Sequence, residues 1–270
     1  MMRNIIITLL VLCALTNCSS QVQQTPVGTT QRDTICGVPC CVYVPYNYSR
    51  RTNEAPFPVL YLQHGMYGSE DDWTTQGQLV EIMDSLLHLQ QVKEMVVIMP
   101  DNFLGSVPPE ARPVRWQDLT DEQEKRYEMS GYWESHFSSF MQEAEQRYHI
   151  SRQPAHRAIA GLSMGGFHTM HISHYLHGQF QYIGLFSAVI LPPFSAEPYD
   201  HWEEEVIQMA AENTIYWIGI GREDFLYKQL QDYRQWLDSN HIEYTYYESP
   251  GGHTWENWQD YIARFLKKIN

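Results

Sequence analysis

The sequence predicts the α/β fold class, with a doubly wound, mostly parallel sheet that carries helices on both faces. Continuous apolar runs, such as VLYLQHG from Val59 and MVVIMP from Met95, are typical of strands that a parallel sheet buries on both faces. From Cys40 onward these runs alternate with longer segments whose apolar residues recur at helical spacing. An alternation of strands and helices is the pattern that a doubly wound sheet requires.

The composition favours one globular domain and excludes several classes of protein. The chain has 270 residues, of which 43% are hydrophobic, enough for one large core. Its 18 lysines and arginines against 32 aspartates and glutamates give a formal net charge of −14. Such a surface repels phosphate backbones and anionic lipid headgroups, so we expect no nucleic-acid partner. The composition leaves the oligomeric state open.

The N-terminus is predicted to be a targeting segment. Arg3 precedes an apolar run from Ile5 to Leu15, which is too short to span a bilayer and is typical of a secretory signal. The LTNC stretch ending at Cys18 resembles a bacterial lipobox, which implies a signal peptide over residues 1–17 and a lipid on Cys18. Ordinary signal cleavage nearby is the alternative. We expect an exported lipoprotein, periplasmic or at the cell surface, that touches the membrane only through this anchor.

A polar tether is predicted over residues 18–35, where Gln, Thr and Ser are frequent, and one folded domain over residues 36–270. The CGVPCC stretch at the start of this domain holds Cys36, Cys40 and Cys41. An exported protein permits a disulfide between Cys36 and one of the other two, and small buried apolar side chains are an equal alternative. Three cysteines within six residues lack the geometry of a zinc site.

The remaining elements follow in chain order. Between the first two apolar runs, QLVEIMDSLLHL is predicted to be a helix, and a second helix is predicted over Glu134–Tyr148. Later strands are predicted at RAIAG, YIGLFSAV, TIYWIGI and IEYTYYE, and later helices after GLSMGG, at FLYKQLQDYRQWLDS and at TWENWQDYIARFLKKI.

Two long, proline-bearing stretches interrupt this alternation, Asp101–Tyr132 and Leu191–Asn213. Loops of that length are uncommon unless they are functional, and both follow strands at the edge where α/β sheets bind ligands. We therefore expect them to form walls of a substrate cleft, with tolerated surface insertions as the alternative. They contribute aromatic side chains suited to a planar group or a sugar ring: Phe103, Trp116, Phe194, Tyr199 and Trp202.

A serine nucleophile is predicted at Ser163, which lies between glycines in AGLSMGG, where a strand turns into a helix. Such a turn lifts the hydroxyl above the sheet. A serine hydroxyl needs an imidazole to take its proton and a carboxylate to orient that imidazole. Asp224 follows the TIYWIGI strand, with Glu223 beside it, and His253 follows the IEYTYYE strand on a glycine-flanked loop. The order Ser163, Asp224, His253 predicts a catalytic triad.

An oxyanion site requires two backbone N–H groups near the nucleophile. Met164, directly after Ser163, supplies one at the positive end of its helix. Met66, in the HGMYG loop after an early strand, is predicted to supply the second, and Tyr67 is the less favoured donor. We assign Tyr67 and Trp202 to substrate binding.

Histidines recur at every third position after the nucleophile, at positions 168, 171, 174 and 177. On a helix this spacing turns successive side chains away from one face, so the four cannot share an ion. We expect no metal and no cofactor, and we expect a mixture of exposed and buried neutral imidazoles on this helix.

Four blocks together resemble a known family: YLQHGMYGSEDDW, AIAGLSMGGFHTM, GREDFLY and GGHTWENW. They are similar to the esterase D and feruloyl esterase-like branch of the α/β-hydrolase superfamily, over roughly Val42 to Leu266 and in the family's order. The resemblance implies an α/β-hydrolase fold for residues 36–270. It also implies the same roles as above: Ser163 as nucleophile, Asp224 as acid, His253 as base, and Met66 and Met164 as oxyanion donors.

The predicted function is that of an exported serine carboxylesterase that forms an acyl-enzyme on Ser163. The family resemblance points to acetyl or feruloyl esters of xylan-type plant polysaccharide, and so to a small-molecule or oligosaccharide ester as substrate. The alternatives are an acyltransferase, a siderophore or thioester hydrolase on the same fold, a serine peptidase, and a carbohydrate-binding lipoprotein without turnover. The last would have lost a triad member, and none is missing.

Overall fold

A computed structural model describes residues 27–51, 54–111, 119–190, 201–212 and 214–269. The eight strands of its sheet are β1 (Thr29–Ile35), β2 (Val38–Val44), β3 (Val59–Gln63), β4 (Val96–Pro100), β5 (Arg157–Leu162), β6 (Tyr182–Phe186), β7 (Ile215–Gly221) and β8 (Thr245–Ser249). Their order across the sheet is β1-β2-β4-β3-β5-β6-β7-β8. The pairs β1–β2 and β2–β4 are antiparallel and the other five are parallel.

Helices cover both faces of this sheet. The helices are α1 (Asp72–Thr75), α2 (Leu79–His88), α3 (Asn102–Ser106), α4 (Asp121–Glu128), α5 (Tyr132–Arg147), α6 (Met164–Tyr175), α7 (Trp202–Ala210), α8 (Tyr227–Ser239) and α9 (Trp255–Leu266). Apolar side chains of α1, α2 and α9 form one core with the sheet, and those of α5 to α8 form a second core on the other face. The predicted doubly wound sheet is therefore confirmed.

The sheet order creates a crevice at the carboxyl end of β3. From β3 the chain crosses to β4 on one side, whereas β5 pairs with β3 on the other, with Gln63 beside Gly161. The chain therefore leaves the carboxyl ends of β3 and β5 in opposite directions, and open α/β sheets bind ligands in the crevice at such a point. The loop after β3 and Ser163 after β5 both lie at this crevice.

The tether predicted over residues 18–35 extends too far, because residues 29–35 form β1. This edge strand has the sequence TTQRDTI, and most of its side chains are exposed, so it lacks the apolar pattern that marks the inner strands. The signal peptide and Cys18 lie outside the described residues. Export as a lipoprotein stays a prediction, which the intact mass of the mature protein checks. Within the described ranges, every helix is too short or too polar to cross a bilayer.

The three cysteines of the domain are all free thiols. Cys40 and Cys41 are neighbours on β2, and their side chains enter opposite cores of the sheet. Cys36 is exposed in the turn before β2 and contacts Glu143 rather than another sulfur. The sequence left open a disulfide or small buried apolar side chains for this stretch. The structure has no disulfide among these three cysteines, and Cys40 and Cys41 are buried side chains of the core.

Candidate active site

Ser163 occupies a strained turn between β5 and α6. Its φ of 53° and ψ of −118° lie in a region that side-chain-bearing residues rarely adopt. The flanking glycines make this turn possible, because a Cβ on Gly161 would lie 2.3 Å from the Gly165 carbonyl oxygen. A Cβ on Gly165 would lie 2.2 Å from the carbonyl oxygen of His64 in the loop after β3. The predicted elbow is therefore present, pressed against that loop.

Asp224 and His253 come together at the ends of β7 and β8. The Nδ1 atom of His253 lies 2.9 Å from Oδ2 of Asp224 and 3.1 Å from Oδ1. Burial of Asp224 by itself would raise the pKa of its carboxyl group, but hydrogen bonds from His253 and the Leu226 N–H outweigh burial and lower that pKa. Asp224 is thus ionised at neutral pH and holds the proton of His253 on Nδ1, which leaves Nε2 as an acceptor.

Ser163 and His253 line the same cleft, which has a volume of about 610 Å³. The Trp258 ring meets the imidazole of His253 edge-on, with centroids 4.9 Å apart. The same cleft is also lined by Met66, Tyr67 and Met164. Asp224 does not line it but contacts the Nδ1 atom of His253. Of the residues assigned from the sequence to catalysis, the oxyanion site or substrate binding, the structure therefore brings all but one together.

Met164 and Met66, the two predicted oxyanion donors, line the same cleft as Ser163. Met164 is the first residue of α6, where the helix dipole is positive. Met66 lies in a tight turn that the Gly68 N–H closes onto the Gly65 carbonyl at 3.1 Å. Among the described residues, neither the Met66 nor the Met164 N–H donates to another backbone carbonyl. Their role as oxyanion donors to an oxygen bound at Ser163 stays a prediction.

His64 and Asn102 hold this loop in place, and sequence reasoning missed both. The His64 N–H donates to Oδ1 of Asn102 at 3.0 Å, and the Asn102 N–H donates to Nε2 of His64 at 3.1 Å. Nδ1 of His64 lies 2.7 Å from the Gly65 carbonyl oxygen, to which its N–H donates. The pair ties the end of β3 to the end of β4, next to Met66.

Trp202 does not line the cleft, so the structure corrects its assignment to substrate binding. It begins α7 and packs against Trp236 of α8, with ring centroids 5.3 Å apart. The reason is helical spacing: Trp202, Val206 and Met209 form one apolar stripe that faces the core.

The predicted cleft walls are present in part. Lys125 of α4, within Asp101–Tyr132, lines the cleft. Trp116, Phe194 and Tyr199 lie outside the described residues. Cleft residues that sequence reasoning did not assign to the site include Asp72, Gln76, Lys125, Leu162, Val189, Phe225, Leu226, Gln229, Trp255 and Trp258. Phe225 could have been assigned to the cleft from the sequence, because it directly follows Asp224, the predicted acid of the triad.

The three histidines of α6, at positions 168, 171 and 174, are all buried. Burial lowers the pKa of His171, and it lowers that of His174 to about 3, so both are neutral at physiological pH. His168 is also buried, and its Nδ1 lies 2.7 Å from Oε1 of Glu134 on α5. In the described part of the chain, no group of three His, Cys, Asp or Glu side chains is arranged to hold a metal ion.

Glu128, at the end of α4, is expected to make the stability of this protein fall as pH rises. Its carboxyl group is 1% exposed and has no hydrogen-bond partner among the described residues, and burial raises its pKa to about 7. Between the unfolded value of 4.5 and about 7, only the folded chain holds this proton. The protonated carboxyl group therefore contributes its full stabilisation below pH 4.5. This contribution is lost as pH rises to about 7, and the free energy of unfolding falls by about 3 kcal/mol.

The variant Glu128→Gln keeps a neutral side chain at every pH. We expect its free energy of unfolding in urea to match the wild type near pH 4.5 and to exceed it by up to about 3 kcal/mol at pH 8. Glu122→Gln, on the exposed side of the same helix, is the matched control and should track the wild type throughout. A constant difference between Glu128→Gln and the wild type across this range would contradict the assignment.

Comparison with known proteins supplies relatives for this chain. The family described as "Putative esterase" matches residues 34–269. A protein of Xylanibacter ruminicola described as endo-1,4-beta-xylanase/feruloyl esterase is 31% identical over 153 residues, which cover 54% of this chain and 19% of that protein. An acetyl esterase of Caldicellulosiruptor saccharolyticus is 23% identical over 235 residues, which cover 76% of this chain and 80% of that protein.

The fold has a close counterpart among solved structures. A CE1 ferulic acid esterase of Anaeromyces mucronatus, solved in complex with ferulic acid, matches with a TM-score of 0.75 at 20% sequence identity. The match covers 92% of each chain. This likeness confirms the α/β-hydrolase fold that the four sequence blocks imply.

Proposed function

This chain belongs to the esterase family of the α/β-hydrolase superfamily, and on that premise we propose that it is an exported serine carboxylesterase. One observation carries the proposal: the imidazole of His253, held by an ionised Asp224, lines the same cleft as the strained Ser163. A serine, an imidazole and a buried carboxylate in this relation are the parts that acyl transfer from an ester requires.

In the proposed mechanism, Nε2 of His253 takes the proton of the Ser163 hydroxyl as Oγ attacks the ester carbonyl carbon. The carbonyl oxygen becomes an oxyanion and accepts hydrogen bonds from the N–H groups of Met66 and Met164. His253 then gives its proton to the leaving alcohol, which leaves an acyl group on Ser163. Water enters, loses a proton to the same Nε2 and attacks the acyl carbonyl carbon. As the bond to Oγ breaks, His253 returns that proton to Oγ, so that the acid product leaves and the Ser163 hydroxyl is restored.

The proposed substrates are acetyl or hydroxycinnamoyl esters of xylan-type sugars. Relatives described as a xylanase/feruloyl esterase and as an acetyl esterase support this class. The cleft is also suited to it, because apolar side chains such as Leu162, Val189 and Leu226 lie beside Ser163 for an acyl group. A net charge of −14 disfavours polyphosphate or heavily carboxylated ligands.

A panel of esters tests this substrate class. We expect kcat/KM for methyl ferulate or for acetylated xylo-oligosaccharides to exceed that for p-nitrophenyl palmitate by at least about tenfold, because polar side chains such as Gln76, Lys125 and Gln229 line the cleft beside the apolar ones. A catecholate trilactone and S-formylglutathione complete the panel. The highest kcat/KM on either of these would contradict the polysaccharide assignment and leave the Ser163 mechanism in place. Acyl transfer would be detected as ester products when xylose is added as a competing acceptor.

A further inference from the structure

Two aromatic rings are exposed at the mouth of the cleft. Six large apolar side chains are exposed among the described residues: Val27, Tyr46, Tyr67, Leu89, Ile207 and Phe225. The two most exposed, Phe225 at 75% and Tyr67 at 67%, are the only two of these six that line the cleft. Leaving a phenylalanine ring in water forgoes the free energy that its burial would gain. The position of Phe225 therefore calls for a role outside the packing of the domain.

The ring of Phe225 lies directly against the catalytic imidazole. Its centroid is 4.6 Å from that of His253, with an angle of 48° between the ring planes. The other aromatic contact of the imidazole, Trp258, is buried, so Phe225 is the exposed aromatic surface beside His253.

The backbone around Phe225 is fixed by Asp224. The Oδ1 atom of Asp224 accepts the Leu226 N–H at 2.9 Å, and its carbonyl oxygen accepts the Tyr227 N–H at 2.9 Å. These bonds hold the turn that carries the ring, so Phe225 is presented in a defined place rather than on a loose loop.

The chemistry of the reaction identifies which part of the substrate meets this ring. On the proposed mechanism, His253 protonates the oxygen of the leaving alcohol, so the alcohol must lie against the imidazole during acylation. In the second step water takes that place, and only the acyl group remains bound. A ring packed against His253 therefore contacts the alcohol part of the ester and has no substrate contact during hydrolysis of the acyl-enzyme.

We propose that Phe225 is a specificity-determining residue that forms an alcohol subsite for a sugar ring. The apolar face of a pyranose or furanose ring packs on an aromatic face, and its hydroxyl groups need polar partners nearby. The cleft supplies such partners in Asp72, Gln76, Lys125 and Gln229. This inference rests on the proposed esterase function and adds the recognition of the alcohol to it.

The test uses two esters that share one acyl group, methyl ferulate and the feruloyl ester of methyl arabinofuranoside. Phe225→Ala is expected to lower kcat/KM for the sugar ester by about five- to tenfold, which lies within the roughly two- to twelvefold effect of aromatic contacts, with less than a twofold change for methyl ferulate. Phe225→Trp should retain the preference for the sugar ester, whereas Phe225→Leu should lose most of it. Tyr46→Ala, which removes an exposed ring outside this cleft, is the control and should change neither value.

A second measurement separates binding of the alcohol from positioning of His253. The rate constant for hydrolysis of the feruloyl-enzyme, from single-turnover experiments, should be the same in Phe225→Ala and the wild type. An equal loss on both esters, a slower deacylation, or an unchanged preference for the sugar ester would each overturn the proposal. Wild-type protein that hydrolyses neither ester would instead overturn the proposed function, and the alcohol subsite with it.

Discussion

Replacing Ser163 with alanine is expected to lower kcat/KM for p-nitrophenyl acetate by about five to six orders of magnitude. Without Oγ no acyl-enzyme forms, so water must attack the ester directly. The oxyanion donors and the cleft still bind the ester, which leaves a residual rate above that in buffer. His253→Ala is expected to have nearly the same effect, because the hydroxyl then has no base. Steady-state assays with both variants measure these losses.

The controls for this prediction distinguish loss of the nucleophile from loss of the fold. Ser138→Ala, in α5 and outside the cleft, should keep wild-type activity, and the melting temperature of Ser163→Ala should remain within a few degrees of the wild type. Rapid acid quenching of wild-type protein with p-nitrophenyl acetate should yield an acetylated peptide that contains Ser163. Substantial turnover by Ser163→Ala, or acetylation of another residue, would contradict the assignment.

The sequence predicts the turn at Ser163 and the inner strands well, because both depend on residues that are neighbours along the chain. A turn at Ser163 needs glycine at positions 161 and 165, where any Cβ would collide with backbone atoms, and this requirement is visible in seven consecutive residues. Strands β3 to β7 are buried on both faces, and apart from Gln63 and Arg157 at strand ends their side chains are almost all apolar. Edge strand β1 lacks this pattern, and its residues are therefore indistinguishable from a polar tether.

Other parts of the site depend on packing between distant segments. His64 and Asn102 lie 38 residues apart and pair because β4 lies beside β3, an order that single-sequence patterns do not determine. Trp202 was assigned to the cleft from its loop-like context, but its helical spacing with Val206 and Met209 turns it inward. The exposure of Phe225 likewise depends on where β8 and α9 place His253.

Two adjacent acids after β7 allow a direct test of which one orients the base. Asp224→Asn is expected to lower kcat/KM by about three to four orders of magnitude, whereas Glu223→Gln should change it by less than about twofold. The structure gives the reason: Asp224 is 4% exposed and meets Nδ1 of His253 with both carboxylate oxygens, whereas the Glu223 side chain is exposed.

The size of the Asp224→Asn effect follows from the tautomer of His253. A carboxylate only accepts, so Nδ1 of His253 must carry the proton and Nε2 is left as the base for Ser163. An asparagine can present its NH₂ group to Nδ1, which favours the tautomer with the proton on Nε2, where it cannot take a second one. Steady-state assays on p-nitrophenyl acetate, with melting temperatures to confirm folding, measure both variants. A larger loss in Glu223→Gln than in Asp224→Asn would show that Glu223 orients the imidazole in solution.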